Sequence, residues 1–105
     1  MKQIRVERRK GFYGIFRALG IRVDGVEVGK IRQGEVLQVE VPESSQEIWG
    51  QMDWGETIRV RLEGYEPDQI IVFRGYFTFN VSRSLAMDTM PFEVFLTREA
   101  EVEKR

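Results

Sequence analysis

Residues 21–31 read IRVDGVEVGKI, and this stretch decides the fold class. Apolar residues alternate with polar ones on both sides of the pair Asp24-Gly25. An Asp-Gly pair between two alternating runs is the strongest short-range signal for a β-hairpin, because a type I′ turn needs positive φ at both central residues. The stretch therefore predicts two antiparallel strands joined by a tight turn, each with one face toward solvent.

The same two-residue period extends in both directions from this hairpin. Alternating or continuously apolar runs lie at 4–7, 21–24, 26–31, 37–41, 47–54, 58–63, 69–73 and 92–97. This spacing of short runs predicts an all-β fold, an antiparallel immunoglobulin-like β-sandwich of seven or eight short strands, with a small barrel as the alternative. The one helical candidate is a short helix near 82–88. We expect a single domain over 1–98 and a charged C-terminal tail over 99–105.

The composition excludes several classes of function. The chain of 105 residues contains neither cysteine nor histidine. Disulfides, thiolate nucleophiles, Cys or His zinc sites and serine–histidine triads are therefore ruled out. We expect no catalytic residue, no metal site and no cofactor, and we predict that the protein is not an enzyme. No apolar run is long enough for a transmembrane helix, and the charged N-terminus lacks a signal-peptide core, so a cytoplasmic location is expected.

Positive charge is concentrated at the N-terminus. The first 17 residues carry six basic side chains and one acidic side chain, although the net charge of the chain is −1. One hypothesis is a patch that binds an anionic lipid surface or the phosphates of a nucleic acid. Its candidate residues are Arg5, Arg8, Arg9, Lys10 and Arg17. The simpler interpretation is an edge strand whose solvated charges block pairing with another chain. A pI near 5.6 argues against nucleic acid as the partner.

The stretch from Ile70 to Phe79 departs from the alternating pattern, because it is apolar on both faces. Either both faces are covered within the monomer or one is covered by another chain. We therefore predict a non-catalytic binding or assembly module that self-associates, as a homo-oligomer, or binds a protein partner through the apolar segment 73–87. The candidate interface residues are Trp49, Phe73, Tyr76, Phe77, Phe79, Leu85 and Met87. Two alternatives remain: a lid over one end of the core, or a small carbohydrate-binding domain using Trp49, Tyr65 or Tyr76.

Residues 21–54 resemble an uncharacterised bacterial β-sandwich domain family with the pattern I-x-I-D-G-x-x-V-G-x-I-x-x-G-E followed by D-W. The matching positions are Asp24-Gly25, Val28-Gly29, Ile31, Gly34-Glu35 and Asp53-Trp54. A looser likeness extends to PEGA-type surface domains. The resemblance implies a compact immunoglobulin-like sandwich and no assigned reaction. The chain departs from the family pattern after Val41, where Pro42 to Ser45 replace a usual glycine–histidine, and residues 74–91 look like an addition.

Overall fold

The computed structural model describes residues 1–11, 17–52, 55–76, 90 and 92–98. Every regular element in these ranges is a β-strand, which confirms the all-β class. The strands are β1 (Lys2–Arg9), β2 (Leu19–Val23), β3 (Val26–Ile31), β4 (Val36–Val41), β5 (Glu47–Met52), β6 (Gly55–Glu56), β7 (Val60–Arg61), β8 (Gln69–Gly75) and β9 (Phe92–Arg98). The helix predicted near 82–88 and the tail at 99–105 lie outside the described residues.

The strands form two sheets with a common core. One sheet has four strands in the order β4-β1-β8-β9, and the other has five, in the order β3-β2-β5-β6, with β7 also pairing with β5. Neighbouring strands are antiparallel except β1 and β8, which run parallel. Ile4 and Val6 of the first sheet share one buried cluster with Ile21 and Ile48 of the second. The two sheets therefore form the layers of a sandwich around a single core cluster.

The position of β1 contradicts the prediction of a charged edge strand. β1 lies inside its sheet, between β4 and β8. Its register places Val6 opposite Leu37 on one side and Ile71 on the other. Because both of its edges are paired, its charges cannot protect an edge from association. The reason is the parallel pairing with β8, a contact between segments far apart in the sequence that local periodicity does not reveal.

The strand predicted over 58–63 is much shorter in the structure. Only Val60–Arg61 remains as β7, and the side chain of Ile58 is exposed. The preceding Thr57 is buried, and its side chain forms one of the hydrogen bonds that a backbone carbonyl would otherwise form between the strands. Its Oγ1 accepts a hydrogen bond from the Gly50 N–H at 2.9 Å, while its own N–H donates to the Gly50 carbonyl at 2.8 Å. This local arrangement interrupts the edge between β6 and β7.

The run that is apolar on both faces is covered on both faces within the monomer over residues 70–73. Ile71 and Phe73 belong to the core cluster between the sheets. Ile70 and Val72 point to the opposite face of β8 and are also buried, with 3 % and 0 % of their surfaces exposed. The first of the two explanations for this run therefore holds over these four residues, without help from a second chain.

The predicted hairpin turn is confirmed, and the side chain of its aspartate also forms hydrogen bonds to another segment. Asp24 and Gly25 both have positive φ, at 50° and 89°. The Asp24 carboxylate also accepts hydrogen bonds from the backbone N–H groups of Gln46 and Glu47, at 3.0 and 2.9 Å. The Asp24 N–H in turn donates to the Glu47 carbonyl. These bonds fasten the β2–β3 turn to the beginning of β5.

Candidate interaction surface

Two of the aromatic residues predicted for an interface are buried inside the monomer. Phe73 is fully buried in the core, where it lies opposite Val94 of β9. Trp49 is 5 % exposed, and the Arg59 guanidinium lies 4.0 Å from the centre of its ring. A side chain covered in this way offers no open face to a protein partner or a sugar. The structure therefore corrects the placement of both residues on a contact surface.

Tyr76 is the one predicted interface residue that the described part of the chain places at the surface. It follows the last residue of β8, and 46 % of its surface is exposed. The four remaining predicted residues, Phe77, Phe79, Leu85 and Met87, lie outside the described residues. A contact surface over 73–87 therefore rests, among described residues, on Tyr76 alone.

Arg8 is buried in the sandwich, which removes it from the predicted anion patch. Its side chain is 1 % exposed on the core-facing side of β1. Its Nη1 donates hydrogen bonds to the carbonyl oxygens of Arg17 and Ile31, and its guanidinium lies 5.5 Å from the Phe92 ring centre. Burial lowers the pKa of Arg8, and the positive charge of Arg32 lowers it further. The side chain is thus a structural tie between segments and is not available to a dissolved anion.

The other basic residues of the predicted patch do not form a continuous positive surface. Arg9 is half-buried on the outer face of the first sheet, with its Nε 3.4 Å from the Glu7 carboxylate and its guanidinium over the Phe95 ring. Arg5 lies on the same outer face and is partly exposed, whereas Lys10 and Arg17 are exposed. The acidic partner of Arg9 and the burial of Arg8 weaken the field that an anion would meet.

Among the described residues, β4 forms one edge of the first sheet, and β9 forms the other. The β1–β4 register is regular from Lys2–Val41 to Glu7–Val36, with no bulge. The Arg8 N–H donates to the Glu35 carbonyl, so Arg8 and Glu35 face each other as a hydrogen-bonded pair. Every second residue of β4 from there, namely Leu37, Val39 and Val41, therefore directs its backbone groups toward β1. The N–H and C=O groups of Val36, Gln38 and Glu40 therefore point away from the sheet.

The other strand of this pair supports the same assignment. Arg5 lies opposite Gln38 in the register, and its N–H donates to the Tyr65 hydroxyl at 3.1 Å, on the side of β1 that faces away from β4. In an antiparallel pair of this kind both residues direct their backbone groups away from each other. Gln38 and Glu40 are exposed, and Val36 is 60 % exposed. Among the described residues, no strand pairs with this edge of β4.

Two other sheet edges carry features that hinder strand pairing. The register of β3 shifts at a bulge opposite Ile21 and Arg22, and its exposed side carries Lys30. The β6–β7 edge is interrupted at residues 57–59 and carries Arg61. Bulges, interruptions and basic side chains are the usual means of preventing edge-to-edge association. β4 has no lysine, proline, glycine or bulge along its length, and its core-facing side chains are all aliphatic.

Two adjoining clefts lie at the end of the sandwich where β1 begins. Their volumes are about 390 and 610 Å³, and both are lined by Lys2 and Glu43. The terminal amino group lies 3.5 Å from the Glu43 carboxylate, and the Lys2 Nζ donates to the Ser45 carbonyl. The terminal amino group and Glu43 are thus paired with each other, and the Lys2 ammonium is held by a backbone carbonyl. Among the described residues no group of three or more carboxylates could hold a metal ion.

Comparison with known proteins adds no assignment, since no family model, curated protein or solved structure matches the chain. Within the described residues, no helix is long and apolar enough to cross a membrane. The β4 edge is not among the sites predicted from the sequence, because those predictions rest on clusters of side chains and not on backbone groups. The signal that could have found it is the run VLQVEV, which alternates without a lysine, glycine or proline.

Proposed function

We propose that this chain is a non-catalytic binding or assembly module that presents the free edge of β4 to an extended strand of a protein partner. The observation that carries the proposal is the straight, exposed edge of Val36, Gln38 and Glu40, whose N–H and C=O groups point away from β1. Such an edge can accept a further strand, because main-chain hydrogen bonds provide affinity and alternate side chains provide specificity.

The experiment compares two substitutions at one position. Gln38→Pro removes an outward N–H and places a ring on the edge, a change that edge strands tolerate. Gln38→Ala removes the same side chain and keeps the N–H, so it is the matched control. A displayed library of random extended peptides is selected on the unmodified chain, and binding of the selected peptides is measured by fluorescence polarisation. We expect binding to the unmodified chain and to Gln38→Ala, and at least about tenfold weaker binding to Gln38→Pro.

Equal binding of the selected peptides to all three chains would show that they use another surface. Failure to select any peptide would also count against strand addition. Far-UV circular dichroism and the urea midpoint establish that Gln38→Pro retains the fold. Because Leu37 directs its N–H toward β1, Leu37→Pro should lower the urea midpoint strongly, which checks the assignment of the two sides of β4.

The segment 73–87 is a second candidate contact surface, and the exposure of Tyr76 favours it. A Tyr76→Ser variant that loses partner binding while Gln38→Pro retains it would move the site to this segment. The anionic-surface and carbohydrate hypotheses have less support, because Arg8 is buried and the Trp49 ring is covered by Arg59. Membership of the PEGA-like bacterial family and a cytoplasmic location remain part of the proposal.

A likeness to immunoglobulin domains is likewise a finer proposal than the two-layer arrangement, and it concerns the architecture alone. It is supported by the face-to-face packing of the sheets and by Tyr65, whose hydroxyl donates to the Gln69 carbonyl at a corner before β8. In a constant-type immunoglobulin domain the first strand shares a sheet with the second. Here β1 and β2 belong to different sheets, so the likeness is one of architecture rather than of strand order.

A further inference from the structure

We infer that the strand accepted by the β4 edge is β4 of a second copy of this chain, paired antiparallel about a two-fold axis at Gln38. The inference rests on the proposed function and identifies its partner. A two-fold axis makes the contact self-complementary, since the same patch serves both copies. The question is therefore whether β4 can pair with itself without conflict.

The backbone groups of β4 allow one antiparallel register that uses the whole free edge. In a register centred on Gln38, this residue lies opposite its own copy, and Val36 lies opposite Glu40 of the other copy. All three residues direct their N–H and C=O groups to the free edge, so each exchanges both groups with the residue opposite. Any other antiparallel register leaves at least one of the three without an outward-facing counterpart in β4. The pairing thus satisfies the whole edge in one arrangement.

The side chains agree with this register. A register centred on Glu40 would place two carboxylates opposite each other, which is destabilising. The register centred on Gln38 instead places Glu40 beside the aliphatic Val36, which is 60 % exposed in the monomer. On the core-facing side, Leu37 meets Val39 of the other copy. Both are only partly buried in the monomer, although they pack against the core. Pairing would cover the apolar side chains that the monomer leaves exposed.

The contact involves a single strand from each copy, so we expect a weak dimer. Interfaces of this kind fall at the small end of the range for specific complexes. Dissociation constants of about 0.1–1 mM are expected, which places the transition in the range of concentrated samples. The two copies would then share a continuous eight-stranded sheet, formed from two four-stranded sheets.

Sedimentation equilibrium on the full chain tests the association. We expect the mass of the unmodified chain and of Gln38→Ala to rise from 12.3 kDa toward twice that value with concentration. Gln38→Pro should raise the dissociation constant at least about tenfold, because it removes the two hydrogen bonds at the axis. A chain that stays monomeric up to about 1 mM overturns the inference. Peptide binding at the β4 edge would still support the proposed function in that case.

The register is tested by disulfide formation, which is clean because the chain has no cysteine. Residues opposite each other in a hydrogen-bonded antiparallel pair have Cα atoms about 5.5 Å apart, within the range of a disulfide. Gln38→Cys should therefore form a crosslinked dimer in a glutathione buffer. Glu40→Cys is the matched control, since its two copies would lie on opposite sides of the axis and too far apart. Equal crosslinking of the two variants, or preferential crosslinking of Glu40→Cys, overturns the register.

Discussion

Replacement of Arg8 by methionine should destabilise the fold by about 3 kcal/mol. The substitution keeps most of the side-chain volume and removes the guanidinium that donates to the carbonyls of Arg17 and Ile31. Each hydrogen bond from a charged group contributes about 1.5–3 kcal/mol, and the stacking on Phe92 adds about 0.5–2 kcal/mol. Removing the cost of burying a charge returns about 1–4 kcal/mol. The net loss is therefore a few kcal/mol.

Urea unfolding followed by tryptophan fluorescence measures this loss, with Lys10→Met as the control because Lys10 is exposed. We expect a clearly lower midpoint for Arg8→Met, a melting temperature lower by about 10–20 °C, and little change for the control. Burial lowers the pKa of Arg8 in the folded chain, so the unfolded chain binds more protons only at strongly alkaline pH. Any pH dependence from Arg8 would be a gain of stability with rising pH in that window. The difference in urea midpoint between the unmodified chain and Arg8→Met should be constant near neutral pH. Equal urea midpoints for the two chains would refute the reasoning.

Two further substitutions test the ties between segments. Asp24→Ala should lower the free energy of unfolding by about 1–3 kcal/mol in urea titrations, because the N–H groups of Gln46 and Glu47 lose their acceptor. Asp24→Asn, which keeps an acceptor, is expected to lose less, and equal losses would contradict this role. Tyr65→Phe should cost about 1–2 kcal/mol by the same measurement, since the phenolic hydroxyl bridges the Arg5 N–H and the Gln69 carbonyl. An unchanged midpoint would show that the bridge contributes nothing.

The features that local sequence could predict are those set by neighbours along the chain. The alternation around Asp24-Gly25 identified the hairpin, and both residues have the positive φ that the turn requires. Gly34 likewise has positive φ, at 84°, in the turn that the hydrogen bond from the Glu35 N–H to the Arg32 carbonyl closes. Such turns depend on residues that are adjacent in sequence, so their chemistry can be recognised without knowing the tertiary structure.

The features that local sequence could not predict depend on distant partners. Arg8 follows Ile4 and Val6 at the two-residue period, so its side chain lies on the same core-facing side of β1. Its acceptors are backbone carbonyl groups, which no side-chain pattern identifies. Thr57 ends a strand because its hydroxyl meets the Gly50 N–H across the sheet. The central position of β1 follows from its parallel pairing with β8, far along the chain. In each case a contact between remote segments overrides the local pattern.

The same limit explains why the β4 edge emerged only from the structure. A strand reveals by its own sequence which side chains face the core, but not whether a neighbour lies on each side of it. VLQVEV would suit an interior strand, where no protection from association is needed. The structure places this run at the end of a sheet, whereas the bulged β3 and the interrupted β6–β7 occupy other edges. An unprotected edge carries a risk of indiscriminate association. The proposed pairing of β4 with a defined strand would remove that risk, because it would occupy the outward N–H and C=O groups of Val36, Gln38 and Glu40.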